Sequence, residues 1–248
     1  MTKQKFILFI GLLIITLSAI SQKNIIPGAE RLDQYVPLLK GKNVALFANP
    51  TSMVGNTHLI DILLKKGIKV VRIFGPEHGF RGKADAGEKV GNSVDKETGI
   101  EVISLYGKHN KPTAEDLKGV DVMIFDIQDV GVRFYTFISS LQQYMEAALE
   151  NSIPLIILDR PNPNGFYVDG PVLQEKFKSF VGMQPVPIVY GLTIGEYAKM
   201  LAGEKWLSDA ANKKYAYYQH AKKTADSPFH LMVVKCLNYD HNSKYILP

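Results

Sequence analysis

The stretch Val120-Asp121-Val122-Met123-Ile124-Phe125-Asp126-Ile127-Gln128-Asp129-Val130-Gly131-Val132-Arg133-Phe134-Tyr135 decides how this chain folds. Residues 120–125 form a nearly continuous apolar run. That is the mark of a strand buried on both faces of a parallel sheet, because a half-exposed strand would alternate. Directly after it come Asp126, Gln128, Asp129 and Arg133, set around Gly131, a residue that lets the backbone turn tightly and bring side chains close to a ligand. Open α/β sheets bind their ligands just beyond the carboxyl ends of their strands. The position of this polar cluster therefore matters as much as its composition.

Working outward, the same order of apolar run and polar cluster recurs four times. Residues 44–48 lead into Asn49-Pro50-Thr51-Ser52, and residues 70–74 into Gly75-Pro76-Glu77-His78-Gly79-Phe80-Arg81-Gly82. Residues 101–105 lead into Tyr106-Gly107, and residues 154–158 into Asp159-Arg160-Pro161-Asn162-Pro163-Asn164-Gly165. A helix is predicted over residues 57–66, with Asn56 or Thr57 as its N-cap and Gly67 where a C′ glycine belongs. Leu141, Tyr144, Met145, Ala148 and Leu149 repeat at helical spacing and are packing residues. Thr193 and Glu196 form a capping box ahead of a short helix ending near Gly203. The crossover between Phe80 and Glu101 lacks a helical pattern; it carries Asp85, Gly87, Glu88 and Asp95 and reads as a functional loop.

This alternation predicts a Rossmann-like, doubly wound parallel α/β domain over residues 24–203. Beyond it the chain turns polar and tyrosine-bearing, with one strand-like run at residues 231–237 and no visible partner for it. Residues 204–248 are therefore expected to begin a smaller, incomplete second domain that packs poorly on its own.

Composition limits the alternatives. At 248 residues, with 46% hydrophobic and 21% charged residues, the chain can bury a sizeable core. Its formal charge of +5 is mild. No lysine–arginine block or interleaved aromatic stripe points to nucleic acid, so the charges read as a solvated mixed surface. At the N-terminus, Lys3 and Lys5 precede an apolar stretch and the small residues Ala19 and Ser21, the layout of a secretory signal cleaved before Gln22. The stretch is shorter than the roughly 20 residues of a spanning helix, so no stable membrane insertion is expected after cleavage. Residues 1–21 are thus assigned to a signal peptide, and the chain to a secreted or periplasmic location. Cys236 is the single cysteine, which rules out an intrachain disulfide, and its apolar surroundings suggest an inert thiol.

The predicted strand ends collect Glu77, His78, Asp126, Asp129, Arg133, Asp159 and Arg160 on one rim. Acid/base cleavage needs a carboxyl group kept protonated by partial desolvation or a neighbouring carboxylate, and Glu77, after a buried strand, suits that role. His78, Asp126 and Asp129 match no metal-ligand spacing, so no metal is assigned, although a metal-dependent hydrolase is one alternative. Structural ion pairing, for instance of Asp126 with Arg133, is the plainer explanation for some of these charges. There is no nucleophile elbow of the Gly-x-Ser-x-Gly type, no Gly-x-Gly-x-x-Gly after the first strand and no Walker lysine. No cofactor is expected.

With these segments laid out, the chain resembles the exo-β-N-acetylmuramidase family NamZ, long catalogued as a domain of unknown function. The resemblance rests on Gly28-Ala29-Glu30-Arg31-Leu32, Asn49-Pro50-Thr51-Ser52, Pro76-Glu77-His78-Gly79-Phe80-Arg81-Gly82 and Asp85-Ala86-Gly87-Glu88. It continues through Ser104-Leu105-Tyr106-Gly107, residues 126–135, Leu158-Asp159-Arg160-Pro161-Asn162-Pro163 and Val168-Asp169-Gly170-Pro171. The resemblance implies a Rossmann-like domain followed by a smaller one, an active site between them, and release of terminal N-acetylmuramic acid from the non-reducing end of peptidoglycan fragments. It also places Glu77 at the family's glutamate. Family members run well past residue 248, so only the beginning of the second domain is expected.

The sugar chemistry agrees with the rim: an acid must protonate the leaving oxygen, and a carboxylate or the sugar's own 2-acetamido group must act at the anomeric carbon. Asp126 and Asp129 join Glu77 as catalytic candidates. The lactyl carboxylate of muramic acid calls for a forked arginine, with Arg133, beside Tyr135, preferred to Arg160 and Arg81. Asn49, His78, Glu88 and Asp159 complete the expected substrate-binding set. The remaining alternative is a non-catalytic module that binds cell-wall glycan.

Overall fold

The five apolar runs become five neighbouring strands because each can bury both faces only between two layers of helix. The computed structural model describes residues 24–82, 91–107, 109–221 and 230–247. The expected signal peptide and the loop residues Asp85, Gly87 and Glu88 lie outside the described residues. The strands are β1 (Asn43–Ala48), β2 (Met53–Val54), β3 (Thr57–His58), β4 (Lys69–Gly75), β5 (Ser93–Val94), β6 (Glu101–Ser104), β7 (Val122–Asp126), β8 (Leu155–Leu158) and β9 (Leu231–Val234). The main sheet runs β5-β6-β4-β1-β7-β8-β9, and β2 pairs with β3 in a small hairpin. All neighbours in the main sheet are parallel except the antiparallel edge pair β5–β6.

Counting the parallel strands alone, the order is 3-2-1-4-5-6, the doubly wound order whose ligand crevice opens where the winding reverses. That switch point lies beyond the carboxyl ends of β1 and β7. Successive residues of each strand face opposite layers. Phe47, Phe74, Phe125 and Ile157 meet the helices α3 (Phe137–Glu150), α4 (Ile194–Gly203) and α5 (Asp209–His220). Leu46, Ile73, Ile124 and Ile156 meet α1 (Leu32–Leu39) and α2 (Leu59–Lys65). Tyr144 of α3, expected to be a packing residue, sits among Phe47, Phe74 and Phe125 with ring centroids 5.1, 5.6 and 6.1 Å away. Among the described residues, no helix is long and apolar enough to cross a membrane.

Local signals hold where the interaction is local. The Thr193–Glu196 capping box is present, and Gly67 has φ 74° beyond the end of α2. The start of α2 differs. Thr57 pairs with Val54 in the hairpin, and the cap is His58, whose ring nitrogen accepts from the Ile60 amide at 3.3 Å.

The expectation for residues 204–248 is corrected. α5 packs on α3, and β9 pairs in parallel with β8 from Leu155–Leu231 to Leu158–Val234. Residues 24–28 close the same edge, since Ile26 and Leu237 exchange backbone hydrogen bonds of 3.0 and 2.8 Å. The strand with no visible partner is therefore the sixth parallel strand of the first domain, and the boundary near residue 203 falls within one continuous packing unit.

Gly28 shows how tight this closure is. Its amide donates to the Asp159 carbonyl at 2.7 Å, and a Cβ there would lie 2.1 Å from the Val234 carbonyl oxygen and 2.7 Å from the Asp159 amide. Both are backbone atoms, joined by the 3.0 Å hydrogen bond from the Asp159 amide to the Val234 carbonyl, and cannot swing away. Gly28→Ala should lower unfolding stability by about 3 kcal/mol, the cost of overpacking a filled site. Gly203→Ala, whose Cβ would meet nothing within 4 Å, should not. Urea unfolding midpoints of the two variants test the contrast.

Candidate active site

Strand by strand, the carboxyl rim of the sheet holds Tyr106 after β6, Glu77 after β4, Asn49 after β1, Asp126 at the last position of β7 with Asp129 beyond it, and Asp159 and Arg160 after β8. Phe74 and Phe125 both lie opposite Phe47. The tails of β4 and β7 are thus two strand spacings apart, about 10 Å.

At the switch point the tails of β1 and β7 are stitched together. The Thr51 amide and hydroxyl donate to Asn49 Oδ1 at 3.0 and 2.5 Å, and the Gln128 amide donates to Thr51 Oγ1 at 3.1 Å. Ser52 Oγ donates to the Asp126 carbonyl at 2.5 Å. His58 holds the same turn. Its Nδ1 accepts from Ile60, so Nε2 carries the proton and donates to the Asn49 carbonyl at 3.0 Å, while burial pushes its pKa down and keeps it neutral. Asn49, expected to contact substrate, spends its side-chain oxygen on the turn.

Asp126 is the clearest departure from expectation. It is fully buried, and its two oxygens accept from Arg160 Nε at 2.6 Å and Nη2 at 2.9 Å. Arg160 Nη2 also donates to the Met53 carbonyl at 3.0 Å. A carboxylate engaged at both oxygens by a buried guanidinium is a structural ion pair, so Asp126 is removed from the catalytic candidates and Arg160 from the substrate-binding ones. The pairing expected of Asp126 with Arg133 does not form.

Asp129 and Asp159 are both buried carboxyls. Asp129 Oδ2 accepts from the Gly131 amide at 2.7 Å and from the Tyr190 hydroxyl, while Oδ1 has no partner among the described residues. Asp159 receives Thr193 Oγ1 at 2.9 Å, the Gly195 amide at 2.8 Å and the Arg160 amide at 3.1 Å, so it anchors the N-terminus of α4. Burial pushes each carboxyl up to about 6, against the hydrogen bonds that favour the ionised form.

The β4 tail is built differently. Gly79 donates to the Pro76 carbonyl at 2.9 Å, closing a turn in which His78 adopts φ 69°, a left-handed conformation uncommon for a side chain with a Cβ. The turn folds back on the sheet. The buried Phe80 ring meets His58 edge-on at 5.0 Å, and Gly82 lies where a Cβ would be 2.4 Å from Pro50 Cγ. Arg81 is committed sideways, to Asp95 at 2.9 and 3.0 Å and Glu97 at 3.2 Å. That pairing holds the Asp95 carboxyl below its usual range.

Within this frame Glu77 and His78 are half-buried at the rim, and the nearby Glu77 carboxylate pushes the Tyr106 phenol above its ordinary pKa. Sequence reading placed Tyr106 just past the third predicted strand and assigned it no role. The signal that finds it is its offset past β6, which equals that of Glu77 past β4. Arg133 Nη1 donates to the Pro171 carbonyl at 3.0 Å and to the Val186 carbonyl, and Tyr135 is 48% exposed. Arg81 and Arg160 are neutralised by carboxylates. Arg133 is held by carbonyls, and among the described residues its charge has no carboxylate partner. Among the described residues, no group of three His, Cys, Asp or Glu side chains is arranged to hold a metal ion.

Comparison with known proteins meets this geometry. Residues 44–248 match the family model of the exo-β-N-acetylmuramidase NamZ, N-terminal. A peptidoglycan β-N-acetylmuramidase NamZ of Bacillus subtilis (strain 168) is 48% identical over 200 residues, which are 79% of this chain and 47% of that protein. A crystal structure of a DUF1343 family protein from Bacteroides fragilis NCTC 9343 superposes with a TM-score of 0.75 at 44% identity, covering 91% of this chain and 56% of the other. A second DUF1343 protein from the same strain gives 0.74 at 40%, covering 89% and 52%. The chain thus spans about half the length of these relatives.

The buried carboxyls give this region a pH signature. Between the ordinary carboxylate range and about 6, folded Asp129 keeps a proton that the unfolded chain has released, so its contribution to stability falls as pH rises through that window. Asp95 and Asp116, held low, act in the opposite direction, so the raw curve mixes both. The difference between Asp129→Asn and the parent isolates Asp129. The variant should gain relative stability from pH 4 to pH 7, with a ceiling of about 3 kcal/mol. Urea unfolding of both proteins at the two pH values measures it; an unchanged difference would contradict the assignment.

Proposed function

Because this chain belongs to the exo-β-N-acetylmuramidase NamZ family, matching its N-terminal part, we propose that it acts in a glycoside hydrolase that releases terminal N-acetylmuramic acid from the non-reducing end of peptidoglycan fragments. The observation that carries this reading is the placement of Glu77. It is a half-buried carboxyl on a constrained turn, at the strand-end rim where doubly wound sheets bind ligands. In this role Glu77 is the general acid that protonates the leaving glycosidic oxygen. The B. subtilis relative is named a peptidoglycan β-N-acetylmuramidase, which supports the glycosidase class. We also propose export, supported by the basic, apolar and small-residue order of residues 3–21; a mature N-terminus at Gln22 checks it.

For the lactyl carboxylate, Arg133 is the rim arginine whose charge is not already matched by an acid, and its fork suits a carboxylate. Arg133→Lys keeps the charge and loses the fork. It should weaken muramic-acid glycosides by about tenfold or more while leaving N-acetylglucosamine glycosides nearly unchanged. Equal losses on both would remove Arg133 from the site.

Glu77→Gln keeps size and hydrogen bonding and cannot donate an acidic proton. Turnover of a muramic-acid glycoside should fall by about 10² to 10⁴, and the loss should shrink for aryl leaving groups that need little protonation. Near-normal turnover by a folded Gln variant would refute the acid role. A loss independent of the leaving group would reassign Glu77 to positioning.

A further inference from the structure

We infer that the buried pair Asp129 and Tyr190 positions Arg133, fixing where its guanidinium meets the lactyl carboxylate and so the preference for muramic acid over N-acetylglucosamine. The inference deepens the proposed function and rests on its reading of Arg133. It starts from the way the chain leaves β7. Asp129 Oδ2 accepts from the Gly131 amide at 2.7 Å, an aspartate closing a turn on its own backbone two residues on. Gly131 takes φ 76° there, and a Cβ would lie 2.2 Å from Asn162 Oδ1. The turn is therefore pressed against the segment after β8.

From that turn the chain enters a small pairing outside the main sheet. Val132 bridges Val189 in antiparallel fashion, and Val189 bridges Asp169 on its other side. The Arg133 amide donates to the Ile188 carbonyl at 2.8 Å, and its Nη1 donates to the carbonyls of Pro171 and Val186, one on each arm of that pairing. Backbone and side chain of Arg133 thus take their place from residues 169–189. Tyr190 comes next in the chain. Its hydroxyl donates to Asp129 Oδ2, the same oxygen that holds Gly131. One carboxylate oxygen therefore ties the turn before Arg133 to the arm that receives its guanidinium.

The tie is rigid and internal. Asp129 and Tyr190 are each 4% exposed, so neither reaches a sugar, and the Tyr190 ring lies 5.5 Å from that of Tyr197 on α4. Burial pushes the Asp129 carboxyl up to about 6 and the Tyr190 phenol well above its ordinary range. At neutral pH the bond therefore joins a neutral donor to a charged acceptor, the stronger kind. Among the described residues the Arg133 side chain is held through Nη1 alone. Its Nε and Nη2 form the edge that Arg81 and Arg160 turn to their own carboxylates. A two-pronged contact demands exact placement, so an arm that slides past the β7 tail would weaken it while leaving contacts to the rest of the sugar in place.

Tyr190→Phe removes the hydroxyl and keeps the ring. In calorimetric titrations of the full chain, N-acetylmuramic acid should bind about 5- to 20-fold more weakly to this variant than to the parent, and N-acetylglucosamine within about twofold. A preference equal to the parent's in the folded variant overturns the inference. Equal losses for both sugars overturn it too, since they mark a structural role alone. Asp129→Asn and Asp129→Ala give a second comparison. Asparagine keeps an acceptor oxygen for both donors and should lose less of the preference than alanine, which keeps none; equal losses in the two folded variants overturn the inference. Arg133→Lys separates it from the reading beneath it. If that variant keeps the parent's preference, the lactyl assignment of Arg133 falls. A preference lost in Arg133→Lys and intact in Tyr190→Phe removes the positioning role and leaves Arg133 standing.

Discussion

The buried ion pair between Asp126 and Arg160 is the constraint on which the candidate site is built. A carboxylate and a guanidinium taken out of water are tolerated only when each satisfies the other with good geometry, and here the contact is two-pronged at 2.6 and 2.9 Å. The pair fixes the carboxyl end of β7 to the segment after β8. Its reach is wider than those two strands. Arg160 also holds the Met53 carbonyl of β2, and the Asp126 carbonyl accepts from Ser52, so the tail of β1 is tied in. The Arg160 amide donates to Asp159, which anchors α4. Loss of either charged partner would strand the other in the interior, a penalty of about 3–5 kcal/mol at the place where the winding of the sheet reverses.

Much of the fold was legible because its evidence is local. Each buried strand is a short apolar run in its own right, and the Thr193–Glu196 box and Gly67 need only a few residues to be recognised. Failures occurred where the deciding partner is distant. β9 looks isolated at residues 231–234 because its neighbour β8 lies some 75 residues upstream, and nothing in a strand's sequence names its partner. His58 displaced Asn56 and Thr57 as the cap of α2 because Thr57 is taken by a hairpin with Val54, again a contact outside the helix.

The site follows the same rule with sharper consequences. Strand ends told which polar residues would gather at the rim, and the sheet order places them there. What the sequence withheld was the division of labour among them. Asp126 and Arg133 are seven positions apart and invited pairing, yet the guanidinium that reaches Asp126 belongs to Arg160, across the β7–β8 boundary. Arg81, Asp95 and Asn49 likewise turn out to serve the loops that carry them. A parallel sheet ends in many chain reversals at one edge, and each needs backbone and side-chain partners to remain folded. A rim rich in charge is therefore largely a scaffold by necessity.

Against that background the turn after β4 stands out by contrast in how it is held. Asp126 and Asp159 have both carboxyl oxygens engaged by donors from within the protein, whereas Asp129 is held through Oδ2 alone. The turn that bears Glu77 is fixed mainly by its own backbone and by its flanks: the Pro76–Gly79 hydrogen bond, Phe80 against His58, Gly82 against Pro50. His78 accepts a left-handed backbone there at a cost of about 1 kcal/mol or more, a strain that persists only because the surrounding contacts over-determine it. Holding a loop by its ends and its backbone leaves Glu77 half-buried at the rim. That difference in how the side chains are held separates the turn that bears Glu77 from Asp126 and Asp159, whose carboxyls tie the strand ends together.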